Sequence, residues 1–284
     1  MSNPTARSFD GLRVAVFEAR MAGILADLVA RHGGLAVAAP ALREIPLGDN
    51  PAALAFTETL EAGGFDLVIF ETGVGIRYLV EALAPRFPRE RWAEVLGRTT
   101  VVARGPKPAT ALRELGVAID VSVPSPNTWR ETLATLDERK PVAGLRVAVQ
   151  EYGKPVPELT DGLEARGATV TRVPVYRWAL PEDVGPLRAT LAELAAGRIP
   201  VALFTAAQQV EHVLQVARED GLEGPLREAL AARVVVGSIG PTTSEALRAH
   251  GLPVDVEPEH PKSGHLVAAV AAGWRGVGKV AQPS

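Results

Sequence analysis

The sequence predicts an α/β protein that carries one doubly wound, parallel-sheet plan twice. Two observations point there. The chain repeats itself: Gly11-Leu12-Arg13-Val14-Ala15-Val16 returns as Gly144-Leu145-Arg146-Val147-Ala148-Val149, 133 residues later. The stretch Gly105 to Gly116 returns as Gly240 to Gly251 at a spacing of 135, and Val68-Ile69-Phe70 lines up with Ala202-Leu203-Phe204 at 134. Three blocks in order at a near-constant offset mark a duplication. Each copy is far longer than a solenoid repeat and is expected to be a lobe with its own core. The second observation is that short Val/Ile/Ala-rich runs alternate with stretches of helical period. Most runs are apolar throughout (Leu67 to Phe70, Val201 to Phe204, Val234 to Gly237). That pattern suits strands covered on both faces by crossover helices.

Taken in order, strands are expected at 12–19, 35–46, 66–71, 99–104, 118–123, 144–151, 168–178, 200–205, 233–239 and 253–257. Helices are expected near 21–32, 52–62, 75–84, 107–115, 128–138, 156–166, 185–197, 208–219, 224–232, 241–250 and 263–274. Each copy then holds five strands and their helices, the doubly wound arrangement. Two strands stand out as longer and more polar, Leu35 to Pro46 and Ala168 to Leu180, at matching places in the copies. Strands of that length can leave one lobe and enter the other, which would join the lobes by a two-stranded ribbon. A simple two-bead arrangement split near residue 143 fits the periodicity equally well. Residues 1–10 and 275–284 carry little patterning and are expected to be arms outside the core.

Composition narrows the function. A length of 284 residues with 47% hydrophobic and 22% charged residues allows two ordinary soluble domains. A net charge of −3 provides no basic field for nucleic acid or an anionic membrane surface. There are no cysteines, which excludes disulfides, zinc thiolates, iron–sulfur clusters and a cysteine nucleophile. The N-terminus lacks the apolar core of a signal peptide, and no run approaches the ~18 apolar residues of a membrane span. A cytoplasmic protein is the simplest expectation. The five histidines do not cluster; His260 and His265 are close in sequence, but no carboxylate pattern gives them metal-ligand spacing. No metal is expected.

Two like lobes usually enclose a cleft, and in parallel α/β sheets ligands bind beyond the strand carboxyl ends, where helix N-termini present free N–H groups. Those junctions are short and rich in Gly, Thr and Ser: Glu71-Thr72-Gly73-Val74-Gly75, Ala103-Arg104-Gly105-Pro106, Tyr152-Gly153-Lys154-Pro155, Thr205-Ala206-Ala207-Gln208, and Ser238-Ile239-Gly240-Pro241-Thr242-Thr243. Several end in Pro at an expected first helical position. Small residues let an anion approach the backbone, and the helix dipole favours negative charge there. At any one junction the same residues are also ordinary turn chemistry; five on one side of two lobes favour a shared anion-binding cleft. The P-loop pattern is missing, the dinucleotide fingerprint fails for want of a third glycine, and no nucleophile elbow supports serine catalysis. Among three tyrosines, Tyr152 and Tyr176 are candidates. Tyr176 reads either as a half-buried aromatic at a corner or as a phenol reaching the cleft as a weak acid. Arg20, Arg77, Arg104, Lys154 and Arg177 are candidate partners for substrate carboxylates, each also readable as a solvated surface charge.

The block Ser238 to Gly251 resembles the C-terminal signature of uroporphyrinogen-III synthase. Phe204 to Val210, Gly73 to Arg77, Val149 to Pro155 and Pro174 to Arg177 resemble other segments of that family in the same order, so the likeness runs from about residue 11 to 273. It implies two flavodoxin-like lobes joined by a two-stranded ribbon, one formed by 1–40 with 179–284 and the other by 41–178, with the active site in the cleft between them. It implies cyclisation of linear hydroxymethylbilane to uroporphyrinogen III with inversion of ring D through a spiro intermediate, and no cofactor. Tyr176 matches the family tyrosine proposed to assist departure of the hydroxyl. Thr242 and Thr243 match the Thr pair at a helix start; Thr205 and Thr72 match hydroxyl residues after the two Phe-ended strands. With Gly73, Arg104, Gly105, Gly153, Lys154, Ala206 and Gly240 these form the expected substrate-binding set. The chain departs from the family at Ala206, at Glu71-Thr72 and at Gly105 to Pro108, which lacks hydroxyls. A monomer is expected, with transient contact to the preceding pathway enzyme. A homologue that binds a tetrapyrrole or other polyanion without turning it over is the alternative; a two-lobe solute-binding protein fits less well.

Overall fold

The protein is represented by a computed structural model that describes residues 8–48, 50–151 and 153–280. In chain order its elements begin with β1 (Arg13–Val16), α1 (Ala22–Arg31), β2 (Leu35–Ala38), β3 (Arg43–Pro46), α2 (Pro51–Glu61), β4 (Leu67–Phe70), α3 (Gly73–Leu83) and α4 (Arg91–Leu96). They continue with β5 (Thr100–Ala103), α5 (Pro106–Glu114), β6 (Val121–Ser122), α6 (Trp129–Arg139), β7 (Arg146–Gln150), α7 (Pro157–Glu164), β8 (Thr169–Val173) and β9 (Tyr176–Ala179). The last are α8 (Gly185–Ala195), β10 (Val201–Phe204), α9 (Ala207–Glu219), α10 (Glu223–Ala232), β11 (Val235–Ser238), α11 (Pro241–Ala249) and α12 (Ser263–Val277).

The chain forms two compact units. The first runs through Arg43 and resumes at Ala179; the second is Glu44–Trp178. The chain leaves the first unit through β3 and returns through β9, and these two strands pair. The first unit holds a parallel sheet in the order β11-β10-β1-β2, extended beyond β11 by one parallel bridge from Gly237 to Val256. The second holds the parallel order β6-β5-β4-β7-β8. Counting β1 and β7 as first strands, both follow the flavodoxin-like sequence 2-1-3-4-5, which has its topological switch point between the first and third.

Alternation along each strand explains the apolar runs. In the first unit Ala15, Ala202, Phe204 and Val236 face one core, with α8 to α11; Val14, Val16, Leu203 and Val235 face the other, with α1 and α12. In the second, Val68, Phe70, Val101 and Ala148 pack under α2 to α5, while Leu67, Ile69, Val102 and Val147 pack under α6 and α7. Successive side chains point to opposite faces, so a strand covered on both must be apolar at every position.

The structure corrects several expected elements. The long strands are each broken, at 39–42 around Pro40 and at Pro174-Val175, because proline has no N–H for the ladder. The strands expected at 118–123 and 253–257 shrink to β6 and a single bridge. In both, an aspartate takes an amide of the neighbouring strand: Asp120 Oδ2 accepts from Val101 N and Asp255 Oδ2 from Val236 N, each at 2.8 Å. Pro155 does not open α7, which starts two residues later at Pro157. Helix α4, which the sequence reading left out, is six residues long and buries Trp92, Val95 and Leu96. The segments 8–10 and 275–280 are anchored. Phe9 is fully buried, Trp274 Nε1 donates to Ser8 O at 2.8 Å, Arg275 pairs with Asp10, and Lys279 Nζ reaches Asp255 Oδ2 at 2.7 Å. Residues 1–7 and 281–284 lie outside the described residues.

Candidate active site

In the second unit the ends of β4, β5 and β7 converge with the start of β9. Thr72 is the N-cap of α3: its backbone is extended, with φ −142° and ψ 142°, and its Oγ1 accepts from Gly75 N at 3.1 Å. That satisfies one of the amides a helix start leaves unpaired. Tyr176, the first residue of β9, is 3% exposed, and its hydroxyl lies 3.5 Å from Thr72 Oγ1. Its ring is flanked by Tyr78 and Trp178, with centroids at 5.9 and 6.3 Å. Aromatic walls leave the phenolic oxygen as the polar tip of an apolar body.

Gln150, wholly buried at the end of β7, holds the floor of this site. Its Oε1 accepts from Thr72 N at 3.3 Å and its Nε2 donates to Glu151 O. Gly75 makes room for that amide: a Cβ there would stand 2.2 Å from Gln150 Nε2. Gly153 has φ +64°, and a Cβ on it would stand 2.6 Å from the Trp178 ring. Lys154 beside it is exposed. Tyr152 lies outside the described residues.

Arg104 and Gly105 follow β5. Arg104 Nη1 bonds Glu71 Oε1 at 2.9 Å, and the Glu71 side chain is 1% exposed. The buried carboxylate fixes Arg104 and opposes its charge, so this guanidinium is part of a structural pair before it is a ligand for substrate. The neighbouring Glu151 is also buried and raises the Arg172 pKa through a side-chain hydrogen bond. Gly105 sits at φ +96°, where a Cβ would stand 2.7 Å from the Asn127 side chain. Gly73 is a packing glycine: a Cβ would stand 2.5 Å from Lys107 O, so it sets the approach of α3 to α5.

The first unit has a parallel constellation at the ends of β10 and β1. Thr205 Oγ1 donates to Glu18 Oε2 at 2.8 Å and accepts from Gln209 Nε2 at 2.9 Å. Gln209 Oε1 accepts from Thr205 N at 2.8 Å and from Ala206 N at 3.2 Å. Ala206 has no side-chain acceptor for the helix start, so α9 keeps only the glutamine half of a capping box. The Thr205 hydroxyl is thus engaged by protein groups, one of them a carboxylate. At α11, Gly240 precedes Pro241 at N1, Thr242 is exposed, and Thr243 is buried with its N–H bonded to Gly240 O at 3.1 Å. Ser244, fully buried, bonds Ser238 Oγ at 2.8 Å and the Glu257 carboxylate.

Thr72, held by Gln150, therefore stands beside Tyr176, while Lys154 is exposed on its loop and Thr242 in the first turn of α11. Sequence reading missed Gln150, Gln209, Glu18, Tyr78 and Trp178. Gln150 had a legible signal, a lone amide closing the apolar run Val147 to Val149. His260 and His265 meet edge to face, with centroids 5.4 Å apart, beside a cavity of about 370 Å³ that Glu259 and His32 also line, but among the described residues no group of three such side chains could hold a metal. Among those residues, too, no helix is long and apolar enough to cross a membrane.

Comparison with known proteins decides the family. The profile described as Uroporphyrinogen-III synthase HemD matches residues 24–268. The chain belongs to the uroporphyrinogen-III synthase family. A Methanothermobacter thermautotrophicus protein provisionally named uroporphyrinogen-III synthase is 31% identical, covering 86% of this chain and 91% of that protein. An uncharacterised Bacillus subtilis protein is 26% identical over 92% of this chain and 95% of its own length. A crystal structure of a mutant Thermus thermophilus uroporphyrinogen III synthase superposes with a TM-score of 0.68 at 27% identity, covering 94% and 98% of the two chains. Its membership of the uroporphyrinogen-III synthase family agrees with the two doubly wound units described above.

Proposed function

We propose that this protein cyclises hydroxymethylbilane to uroporphyrinogen III, with Tyr176 as the acid that assists loss of the terminal hydroxyl. The observation that carries this is the Tyr176 hydroxyl set beside the N-cap of α3 at the carboxyl end of a doubly wound sheet, in a chain of the synthase family. In this reading the phenol gives its proton to the leaving hydroxyl, and the C–O bond breaks with its electron pair going out as water. The pyrrole nitrogen supplies the electrons that form the azafulvene cation. Ring D is attacked at its substituted carbon, the spiro intermediate opens and recloses, and the proton released on rearomatisation returns to the phenolate. The sum is isomerising ring closure with loss of one water, and it consumes no cofactor.

The rest of the task is positioning. A flexible chain must be held with its ends together while the uninverted closure is prevented, and orientation of that kind can supply ~7–11 kcal/mol without a strong catalytic group. Each unit presents helix starts with small residues, Gly73, Gly240 and Thr242 among them, whose amides suit the carboxylates of the bilane. Exposed Lys154 is a further partner for these anions.

The test supplies freshly generated hydroxymethylbilane and separates the porphyrin isomers after oxidation. Type III product well above the spontaneous type I background supports the proposal. Type I alone, from folded protein that still binds the bilane, rejects turnover and leaves a polyanion-binding homologue.

A further inference from the structure

We propose that Thr72 is a positioning residue for Tyr176, donating its hydroxyl proton to the phenolic oxygen and so strengthening the phenol as an acid. The inference rests on the reading of Tyr176 given above.

The geometry is a short relay that starts at a helix. Gly75 N–H, in the first turn of α3, donates to Thr72 Oγ1 at 3.1 Å, and Thr72 Oγ1 lies 3.5 Å from the Tyr176 hydroxyl. A hydroxyl has one proton to give. With its oxygen already accepting from the positive end of a helix, Thr72 is polarised toward donation. A donor on the phenolic oxygen stabilises the phenolate more than the phenol and lowers the free energy of giving up the proton. The 3.5 Å separation is long for a neutral pair, and catalytic hydrogen bonds of this kind tighten as charge develops.

Two further observations fix Thr72 in this role. Gln150 Oε1 holds its backbone N–H at 3.3 Å, and Gln150 is wholly buried. The duplication supplies an internal comparison: the residue matching Thr72 at a spacing of 134 is Ala206, and β3, which matches β9, holds no tyrosine. Thr72 and Tyr176 fall together in the unit Glu44–Trp178, while their counterparts, Ala206 and Arg43, fall in the other unit.

The test is a double-mutant cycle in the full chain, with type III formation as the assay and thermal melting to confirm folding. Tyr176→Phe is expected to lower kcat about 100-fold, and Thr72→Val about tenfold with KM within about twofold. Thr72→Ser should recover most of that loss. In Thr72→Val the alkaline limb of the kcat profile moves to higher pH. If Thr72 acts through the phenol, Thr72→Val adds nothing in the Tyr176→Phe background. An equal tenfold loss in that background, or an unchanged kcat in Thr72→Val, overturns the inference while leaving Tyr176 in place. Wild-type turnover by Tyr176→Phe removes the underlying reading instead, and the inference with it.

Discussion

The side-chain amide of Gln150 occupies the space that a Cβ on Gly75 would need, with Nε2 2.2 Å from that position. In the other unit the matching positions carry a different pair. Gln209 stands where Gly75 would be, at a spacing of 134, and Phe17 where Gln150 would be, at 133. Each unit thus places one glutamine amide at the start of the helix after its third sheet strand, from a strand in one and from the helix itself in the other. The N–H groups of that turn need an acceptor in both units.

Gly75→Ala is therefore expected to push Gln150 off its partners, lowering stability by about 1–3 kcal/mol through overpacking and lost hydrogen bonds. Gly75→Gln alone should be worse, and Gly75→Gln with Gln150→Phe, which copies the other arrangement, should regain part of the loss. Chemical denaturation of the three variants checks the order. A double variant no more stable than Gly75→Gln would show that the exchange is coincidental.

The C-terminal helix is structural to its end. Trp274 is fully buried and bonded to Ser8 O. Trp274→Ala should cost about 3–5 kcal/mol, and Trp274→Phe, which keeps most of the packing, nearer 1 kcal/mol. Equal, negligible shifts in melting temperature for both would show that the Trp274–Ser8 anchor contributes nothing to stability.

Acid sensitivity should be traceable to His212. It is buried on α9, its Nδ1 lies 2.6 Å from Ala41 O, and desolvation holds its pKa below the ordinary 6.5, against smaller upward pulls from that carbonyl and from Glu211. With a native pKa below the unfolded one, the unfolded chain binds more protons as pH falls. Stability contributed by the neutral ring is complete above about pH 6.5 and drains away as pH drops toward the native value. His212→Gln should flatten the stability profile just below pH 6.5; an unchanged slope places the titration elsewhere.

Much of the fold was legible because it follows from local rules. Matched blocks at spacings of 133 to 135 announced two like copies, and runs such as Leu67 to Phe70 announced strands covered on both faces. The ends of strands were less legible. Asp120 and Asp255 shorten the edges by capping amides of a neighbouring strand, an event that no periodicity records. Helix α4 escaped because six residues are too few to show a period.

By itself the sequence determined the class of this protein: a duplicated, doubly wound α/β chain without cysteine chemistry, with Gly, Thr and Ser at its strand ends and Tyr176 as the aromatic to watch. Only the tertiary structure decided what those residues meet. Tyr176 reaches Thr72 across 104 positions, Gln150 reaches Thr72 across 78, and Arg104 finds its carboxylate at Glu71 across 33. Periodicity fixes which face a side chain takes, but strand order in the sheet fixes its neighbours, and that order is set by burial summed over the whole unit.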